Sequence, residues 1–295
     1  MLAERSVMQV DSKTRRCSTH LDYQLSLVIP AYNEEVTIRQ AIREAEIALT
    51  ALTSRFEIIV VDDGSKDGTA AIVELEEQRN PDIRLLSLAN NAGYGAALRT
   101  GFQAATCDLV AFTDADCQFD LRELELMLPL TRTHDVVCGY RIDRQDPLRR
   151  RFLSWGYNKL ARWLLGSPVR DIDCALKIFH RRLLPVISPQ CDNFFVNTEM
   201  LSRACRAGLS VAEVGVRHRS RAGGSSKVSL RDIPKTMCTL LSYWWSHHLF
   251  SERAERKRLE SKGALPKNTK FKQQTSNKLK MQMKSKNTNL LPPLL

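Results

Sequence analysis

Two aspartates separated by one residue follow an apolar run in the middle of the chain. The segment DLVAFTDAD, residues 108–116, has the pattern of a strand that ends in Asp114 and Asp116, and Gln118 comes two residues later. Carboxylate and amide oxygens are hard ligands that suit Mg²⁺ or Mn²⁺ and leave coordination positions for substrate phosphates. A bare pair of this kind is often a solvated turn, but its place at a strand end favours a metal site.

A second acidic cluster ends an earlier apolar run. FEIIVVDD, residues 56–63, ends in Asp62 and Asp63, and the turn GSKDGT follows before a helical pattern. These carboxylates can accept hydrogen bonds from a ribose hydroxyl or a base N–H, although an Asp-Gly turn before a helix also serves as a cap. The chain has no G-x-G-x-x-G after the first strand and no G-x-x-x-x-G-K-[ST]. Their absence disfavours a dehydrogenase and a P-loop nucleotide hydrolase.

A basic segment rich in glycine and serine lies further along the chain. RHRSRAGGSSKVS, residues 217–229, holds Arg221 and Lys227 on either side of small residues. Amides, hydroxyls and two cations in one loop can close over a diphosphate. A basic surface loop is the alternative interpretation.

The elements that carry these clusters alternate between strand-like and helix-like patterns. Strand-like runs occur at residues 25–31, 56–63, 83–89, 108–116, 135–141 and 209–221. Such alternation predicts an α/β fold with a mostly parallel sheet and flanking helices. Because ligands of open α/β sheets bind beyond the carboxyl ends of the strands, the clusters near Pro30, Asp62 and Asp114 are expected to face one pocket.

The composition agrees with one folded body and a basic tail. The 295 residues are 43% hydrophobic and 26% charged, which excludes a wholly disordered, collagen-like or disulfide-scaffold protein. Of the formal net charge of +11, residues 251–295 carry +9, from 12 Lys and Arg against 3 Asp and Glu. The eight cysteines show no pairing rhythm, which predicts a reducing compartment.

Four parts of the chain are expected. Residues 1–23 are polar and predict a disordered leader rather than a secretory signal. Residues 24–230 form the α/β domain, 231–251 an interfacial helix, and 252–295 a basic, disordered tail. Residues 236–251 lack charged side chains but are short and polar for a membrane span, so they predict an amphipathic helix at a membrane interface. A final helix docked on the domain is the alternative.

Eight sequence blocks resemble, in order, those of family 2 glycosyltransferases of the GT-A fold. They are LSLVIPAYNEE, EIIVVDDGSKDGT, NAGYGAALRTGFQAA, FTDADCQFD, CGYR, RDIDCALKIFHRR, NTEMLSRA and AEVGVRHRSRAGGSSK. They look most like the polyprenyl-phosphate branch, typified by dolichol-phosphate mannose synthase, and cover about residues 24–230. The resemblance implies a single Rossmann-like GT-A domain.

The resemblance also implies roles for individual residues. It implies a nucleotide-sugar site formed by Pro30, Tyr32, Glu34, Val61, Asp63, Asp114, Ala115, Arg141, Arg221 and Lys227. It implies Mg²⁺ or Mn²⁺ on Asp114, Asp116 and Gln118. It makes Asp116, Asp171 and Glu199 the catalytic candidates, with Asp171 in the acceptor loop and Glu199 near the transferred sugar. Because an acceptor phosphate is already anionic, Asp171 can instead be a helix cap and Glu199 a buried ion-pair partner.

The expected reaction is an inverting, metal-dependent hexose transfer to polyprenyl or dolichyl phosphate. The donor is a nucleoside diphosphate sugar of the GDP-mannose or UDP-glucose type. A GT-A transferase with a soluble or different lipid acceptor is the alternative. The rival from another class is a noncatalytic protein whose tail binds membranes or nucleic acid.

The expected location follows from the basic tail and the segment before it. We expect peripheral association with the cytoplasmic face of a membrane through residues 236–251 and the tail. Specific nucleic-acid binding is not expected, since tail lysines without an aromatic platform give only nonspecific attraction.

Overall fold

The computed structural model describes residues 9–10, 23–142, 148–165, 169–220, 223 and 237–244. The described strands form one eight-stranded sheet in the order β1-β8-β6-β7-β5-β2-β3-β4. They are β1 Gln9–Val10, β2 Gln24–Ala31, β3 Arg55–Asp62, β4 Ile83–Ser87, β5 Leu109–Phe112, β6 Val136–Ile142, β7 Lys177–His180 and β8 Val211–Arg217.

Helices connect most of the strands and pack against the sheet. They are α1 Ile38–Leu52, α2 Thr69–Arg79, α3 Tyr94–Ala104, α4 Leu124–Met127, α5 Leu148–Leu165, α6 Leu184–Ile187 and α7 Val196–Arg206. Short 3₁₀ segments lie at Leu121–Glu123, Leu128–Arg132 and Arg181–Leu183, and residues 237–244 are helical. The buried positions of α1 recur every three or four residues, which is the spacing that turns one helix face toward the core.

The expected mostly parallel sheet is confirmed, with one antiparallel strand. β2 is parallel to both β3 and β5, whereas β7 runs antiparallel between β5 and β6. The sequence patterns did not indicate β7, because its four residues include only two apolar side chains, Ile178 and Phe179, and are too few to show a strand period. β1 lies within the segment expected to be a disordered leader, and it pairs with β8.

The core lies around the central strands. β2 is buried from Leu25 to Ala31, and β3 from Glu57 to Asp62, so both strands are covered on both faces. This burial explains their nearly continuous apolar sequence, because parallel strands with two covered faces need no polar alternation. A Cβ added to Gly101 of α3 would collide with Val28, so only glycine lets the helix approach β2 this closely.

The strand register brings the sequence clusters to one edge of the sheet. Ala31 at the end of β2 pairs with Asp62 at the end of β3, and Val28 pairs with Phe112 at the end of β5. Asp114 follows β5 by two residues and therefore leaves the sheet at this same edge. The topology therefore brings the acidic clusters together at the carboxyl ends of the strands, as predicted.

Residues 237–244, within the segment expected to be interfacial, pack against the α/β domain. Leu240 is fully buried, and the Tyr243 ring meets the Phe195 ring at 5.1 Å in an edge arrangement. Leu241 on the same segment is 47% exposed. Among the described residues, no helix combines the length and apolar character that a membrane crossing requires.

Candidate active site

The two aspartates of the D-x-D motif stand directly beyond β5. The Tyr94 hydroxyl donates a hydrogen bond of 2.7 Å to Oδ1 of Asp114. Asp116 is 8% exposed, and its Oδ1 accepts the backbone N–H of Gln118 at 3.2 Å. Ala115 between them is buried, so the two carboxylates are carried by a short segment that is packed against the domain.

This donor set fits a divalent cation that shares its coordination with a substrate. Asp114 and Asp116 offer carboxylate oxygens, and Gln118 can add an amide oxygen while its Nε2 donates to the Arg219 carbonyl at 3.3 Å. No cluster of three or more His, Cys, Asp or Glu residues arranged to hold a metal occurs in the part of the chain that the structure describes. Mg²⁺ commonly uses one or two carboxylates and completes its shell with water and phosphate oxygens.

Loops 31–37 and 62–69 are joined to each other at the carboxyl ends of β2 and β3. The Asn33 N–H donates to Ser65 Oγ and the Lys66 N–H donates to Asn33 Oδ1, both at 2.8 Å. The Glu34 N–H donates to Thr69 Oγ1 at 2.8 Å. These bonds tie the segment after β2 to the segment after β3, so the predicted PAYNE and VDDGS motifs act as one unit.

The predicted nucleotide-site residues in these two loops and in the strands before them differ in solvent exposure. Pro30 and Val61 lie within strands and are buried, whereas Tyr32 is partly exposed. Glu34 is buried, and its Oε2 accepts the Thr37 hydroxyl at 3.0 Å. Since the Val61 side chain is in the core, only its backbone can border a ligand.

Asp63 holds the turn that precedes α3. Its two oxygens accept the N–H groups of Ala92 and Gly93 at 2.7 and 2.9 Å. Burial raises the pKa of Asp63, while these two amide hydrogen bonds oppose the rise. The carboxylate that was expected to meet the nucleotide is thus also a fixed part of the protein framework.

Arg141 and Asp171, both expected near the substrates, are joined in the structure. Arg141 Nε donates to Asp171 Oδ2 at 2.7 Å and Nη2 donates to Oδ1 at 2.7 Å. The pair links the end of β6 to the loop before β7, beside the D-x-D edge. Asp171 therefore acts as an ion-pair partner and not as the helix cap that was the alternative interpretation.

Glu199 is buried on α7 and holds the loop that precedes this helix. It accepts the N–H groups of Gln190 and Cys191 at 2.9 to 3.0 Å and pairs with Arg203 Nε at 3.0 Å. Burial favours a higher pKa for Glu199, but hydrogen bonds from Cys191 and Gln190 and the charge of Arg203 bring that pKa below its usual value. These contacts fit the alternative interpretation, in which Glu199 is a buried ion-pair partner.

Arg221 and Lys227 lie outside the described residues, but the segment that leads to them is anchored beside the D-x-D motif. Arg219 N–H donates to the Gln118 carbonyl at 2.8 Å, and its guanidinium pairs with Asp120 at 2.7 Å and Glu44 at 3.1 Å. The described segment that ends at Ser220 therefore lies next to the predicted cation ligands.

Sequence reasoning gave no role to Tyr94 or Lys177. Lys177 is 1% exposed, and its ammonium donates to the carbonyls of Ile172 and Cys174 and to Asn197 Oδ1. It thereby ties the loop that carries Asp171 to α7. A lysine directly before two apolar residues was the available signal for it, and a tyrosine between two glycines at a helix start was the signal for Tyr94.

Comparison with known proteins places this site in a family. The model of the family described as "Glycosyl transferase family 2" matches residues 26–187, more than half of the chain. Glycosyltransferase AglD of Haloferax volcanii is 34% identical over 77% of this chain and 38% of its own length. Undecaprenyl-phosphate 4-deoxy-4-formamido-L-arabinose transferase of Pseudomonas aeruginosa is 31% identical over 74% of this chain and 64% of its own length. The chain thus spans less than two thirds of either relative.

Solved structures agree with the fold. Glucosyl-3-phosphoglycerate synthase from Mycobacterium tuberculosis, in complex with phosphoglyceric acid, has a TM-score of 0.60 at 24% identity and covers 75% of this chain and 79% of its own. The same enzyme with Mn²⁺, UDP and glucosyl-3-phosphoglycerate has a TM-score of 0.59 at 23% identity, covering 75% and 79%. The expected GT-A α/β fold is confirmed, and the chain belongs to glycosyl transferase family 2.

Proposed function

We propose that this chain moves a hexose from a nucleoside diphosphate sugar to the phosphate of a polyprenol, with a divalent cation. The observation that carries the proposal is the pair of Asp114 and Asp116 at the sheet edge, beside the joined loops 31–37 and 62–69. The name of the Pseudomonas aeruginosa relative supports a polyprenyl-phosphate acceptor. GDP-mannose and UDP-glucose remain the proposed donor types.

The cation site in this proposal is Asp114, Asp116 and Gln118. A bound Mg²⁺ or Mn²⁺ would neutralise the charge that develops on the leaving diphosphate. The structural neighbour solved with Mn²⁺ and UDP supports a divalent ion in this fold. Arg221 and Lys227 are proposed to bind the same diphosphate.

The protein's own contribution is to bind and orient the two substrates. The loops that contain Tyr32, Glu34 and Asp63 border the nucleoside. The Asp171 carboxylate holds the Arg141 guanidinium beside the phosphates. An oxygen of the acceptor phosphate attacks the anomeric carbon, the bond from that carbon to the donor diphosphate breaks, and the nucleoside diphosphate leaves with the electron pair. The anomeric centre is thereby inverted.

The reaction needs no protein base, because the attacking oxygen is already anionic. Asp171 is bonded to Arg141, and Glu199 is bonded to two amides and to Arg203. We therefore propose that both acids position the acceptor side of the site. Asp116 is proposed to act on the reacting diphosphate through the cation.

The proposed lipid acceptor requires the site to lie at a membrane, and α5 presents a surface suited to it. Trp155 and Trp163 are 55% and 73% exposed, and the ammonium of Lys159 lies 5.0 Å from the Trp155 ring centroid. Positions 155, 159 and 163 fall on one helix face. Exposed indoles with a neighbouring cation favour the headgroup region of a bilayer. We propose peripheral association with a cytoplasmic membrane face, to which the basic tail adds attraction for anionic lipids.

Transfer from GDP- and UDP-hexoses to a short polyprenyl phosphate in detergent, with Mg²⁺ or Mn²⁺, tests the proposal. The wild type is expected to form a glycolipid only with the cation, and Asp116→Asn is expected to lose about 100-fold or more of this rate. Asp135→Asn is the matched control, because Asp135 bonds Ser210 at the opposite edge of the sheet. Glycolipid formation that is unaffected by Asp116→Asn contradicts the proposed site, and transfer only to a soluble acceptor contradicts the lipid assignment.

A further inference from the structure

Tyr94 makes a hydrogen bond to a carboxylate of the D-x-D motif that the proposed reaction leaves unexplained. Its hydroxyl lies 2.7 Å from Asp114 Oδ1, and Tyr94 is the first residue of α3. A phenol is a proton donor at neutral pH, so the bond runs from the tyrosine to the aspartate. Asp114 therefore has an orienting partner that belongs to a different element of the fold.

The turn before α3 fixes the backbone of Tyr94. The Asp63 carboxylate accepts the N–H groups of Ala92 and Gly93, the two residues that precede the tyrosine. Gly93 has a φ of +98°, and a Cβ there would collide with the Asp192 carbonyl. Such a backbone conformation favours glycine, so the neighbouring tyrosine enters the helix at a defined angle.

The Tyr94 ring is held in place by an aromatic contact as well. It stacks on Phe194 with the ring centroids 5.4 Å apart and an interplanar angle of 27°. The Gly95 N–H donates to the Asp192 carbonyl at 2.9 Å, which ties the start of α3 to the segment that carries Phe194. The ring thus has little freedom to rotate away from Asp114.

These contacts place Tyr94 between the two acidic clusters that the sequence indicated. Asp63 of one cluster fixes the turn before α3, and Tyr94 at the start of that helix reaches Asp114 of the other cluster. A carboxylate oxygen has two lone pairs, so Asp114 Oδ1 can accept from Tyr94 and still bind a cation. Hydrogen bonds to the groups that bind a metal commonly change its affinity by 10- to 100-fold.

We propose that Tyr94 is a positioning residue that orients the Asp114 carboxylate for a divalent cation. The proposal rests on the cation site of the proposed function and adds to it a residue on α3. It predicts that removal of one oxygen atom from the tyrosine weakens cation binding while the ring stack and the fold persist.

Tyr94→Phe is the informative variant, because phenylalanine keeps the ring against Phe194 and removes only the donor. Tyr157→Phe is the matched control, since the Tyr157 hydroxyl makes a bond of equal length, 2.7 Å, to Thr198 Oγ1 and none to Asp114. Mn²⁺ alone is titrated into each full-length protein, and free Mn²⁺ is followed by electron paramagnetic resonance. Asp116→Asn is titrated in the same way, and thermal unfolding checks that each variant is folded.

Tyr94→Phe is expected to raise the Mn²⁺ dissociation constant about 10-fold, with Tyr157→Phe within twofold of the wild type. An unchanged dissociation constant in Tyr94→Phe overturns the proposal, and so does an equal loss in both tyrosine variants, which would indicate a general loss of packing. Because no sugar or lipid is present, a failure of the acceptor assignment leaves this result standing. Mn²⁺ binding that survives Asp116→Asn overturns both the proposal and the cation site on which it rests.

Discussion

Arg141 and Asp171 form a two-point ion pair that is nearly closed to solvent. Their side chains are 9% and 10% exposed, and the Arg141 N–H adds a third hydrogen bond to Asp171 at 3.1 Å. An ion pair in which a planar guanidinium and a carboxylate share two hydrogen bonds is strong and geometrically specific. The pair fixes the loop before β7 against the end of β6, on the acceptor side of the proposed site.

Asp171→Ala is expected to destabilise the protein by about 3 to 5 kcal/mol, because it leaves a buried guanidinium without its partner. The double variant Arg141→Met with Asp171→Ala should lose less stability than the sum of the two single variants. Urea unfolding of the full chain measures both effects. A loss below about 1 kcal/mol for Asp171→Ala would show that solvent replaces the carboxylate and that the pair is not structural.

Lys177→Met is expected to cost about 2 to 4 kcal/mol, since the carbonyls of Ile172 and Cys174 would lose their buried donor. Lys159→Met on α5 is the matched control, because Lys159 is exposed and should change stability by no more than about 1 kcal/mol. Thermal and urea unfolding report both values. Equal effects of the two substitutions would contradict a structural role for the Lys177 ammonium.

Asp120 is expected to make stability depend on pH in the acid range. A hydrogen bond from Arg122, together with an amide bond and the charge of Arg219, lowers the pKa of Asp120 to about 2. Because the folded pKa lies below the unfolded value near 3.9, the contribution is complete above about pH 4 and is lost as the pH falls toward 2. The stability difference between wild type and Asp120→Asn should shrink over this range. A difference that stays constant from pH 5 to 2 would contradict the assigned pairing.

Trp155 and Trp163 are expected to contribute to membrane binding. The double variant Trp155→Ala with Trp163→Ala removes the two exposed indoles of α5, so sedimentation with vesicles that contain anionic lipid should fall about 10-fold or more. Leu75→Ala is a suitable control, because Leu75 is a 57% exposed apolar residue on α2. Vesicle binding that is unchanged in the double variant would assign association to other parts of the chain.

The sequence predicted the sheet and the shared position of the acidic clusters because both follow from local rules. Alternating apolar runs indicate parallel strands, and parallel strands place their carboxyl ends at one edge. The strand β7 was missed, since its four residues, of which two are apolar, are too few to show a periodicity that excludes a helix. The edge position of Asp114 could therefore be expected, whereas the antiparallel neighbour of β5 could not.

The partners of the site residues were beyond sequence reasoning for a different reason. Arg141 and Asp171 are 30 residues apart, and Tyr94 and Asp114 are 20 apart. No spacing rule connects such positions, because the contact depends on how two loops are packed after the sheet has formed. The family resemblance could therefore nominate Asp171 and Glu199 as candidate catalytic acids, but their hydrogen-bond partners required the structure.

The antiparallel strand β7 also affects how the chain is synthesised. Strands β2 to β5 are complete at Phe112, yet one edge of β5 has no partner until Lys177–His180 has been made. At about 5 to 20 residues per second, the interval of roughly 70 residues lasts about 3 to 14 seconds on the ribosome. Throughout this time an apolar strand edge is open to pairing with other nascent chains. Translation of the segment between β5 and β7 is therefore a stage at which co-translational aggregation is favoured.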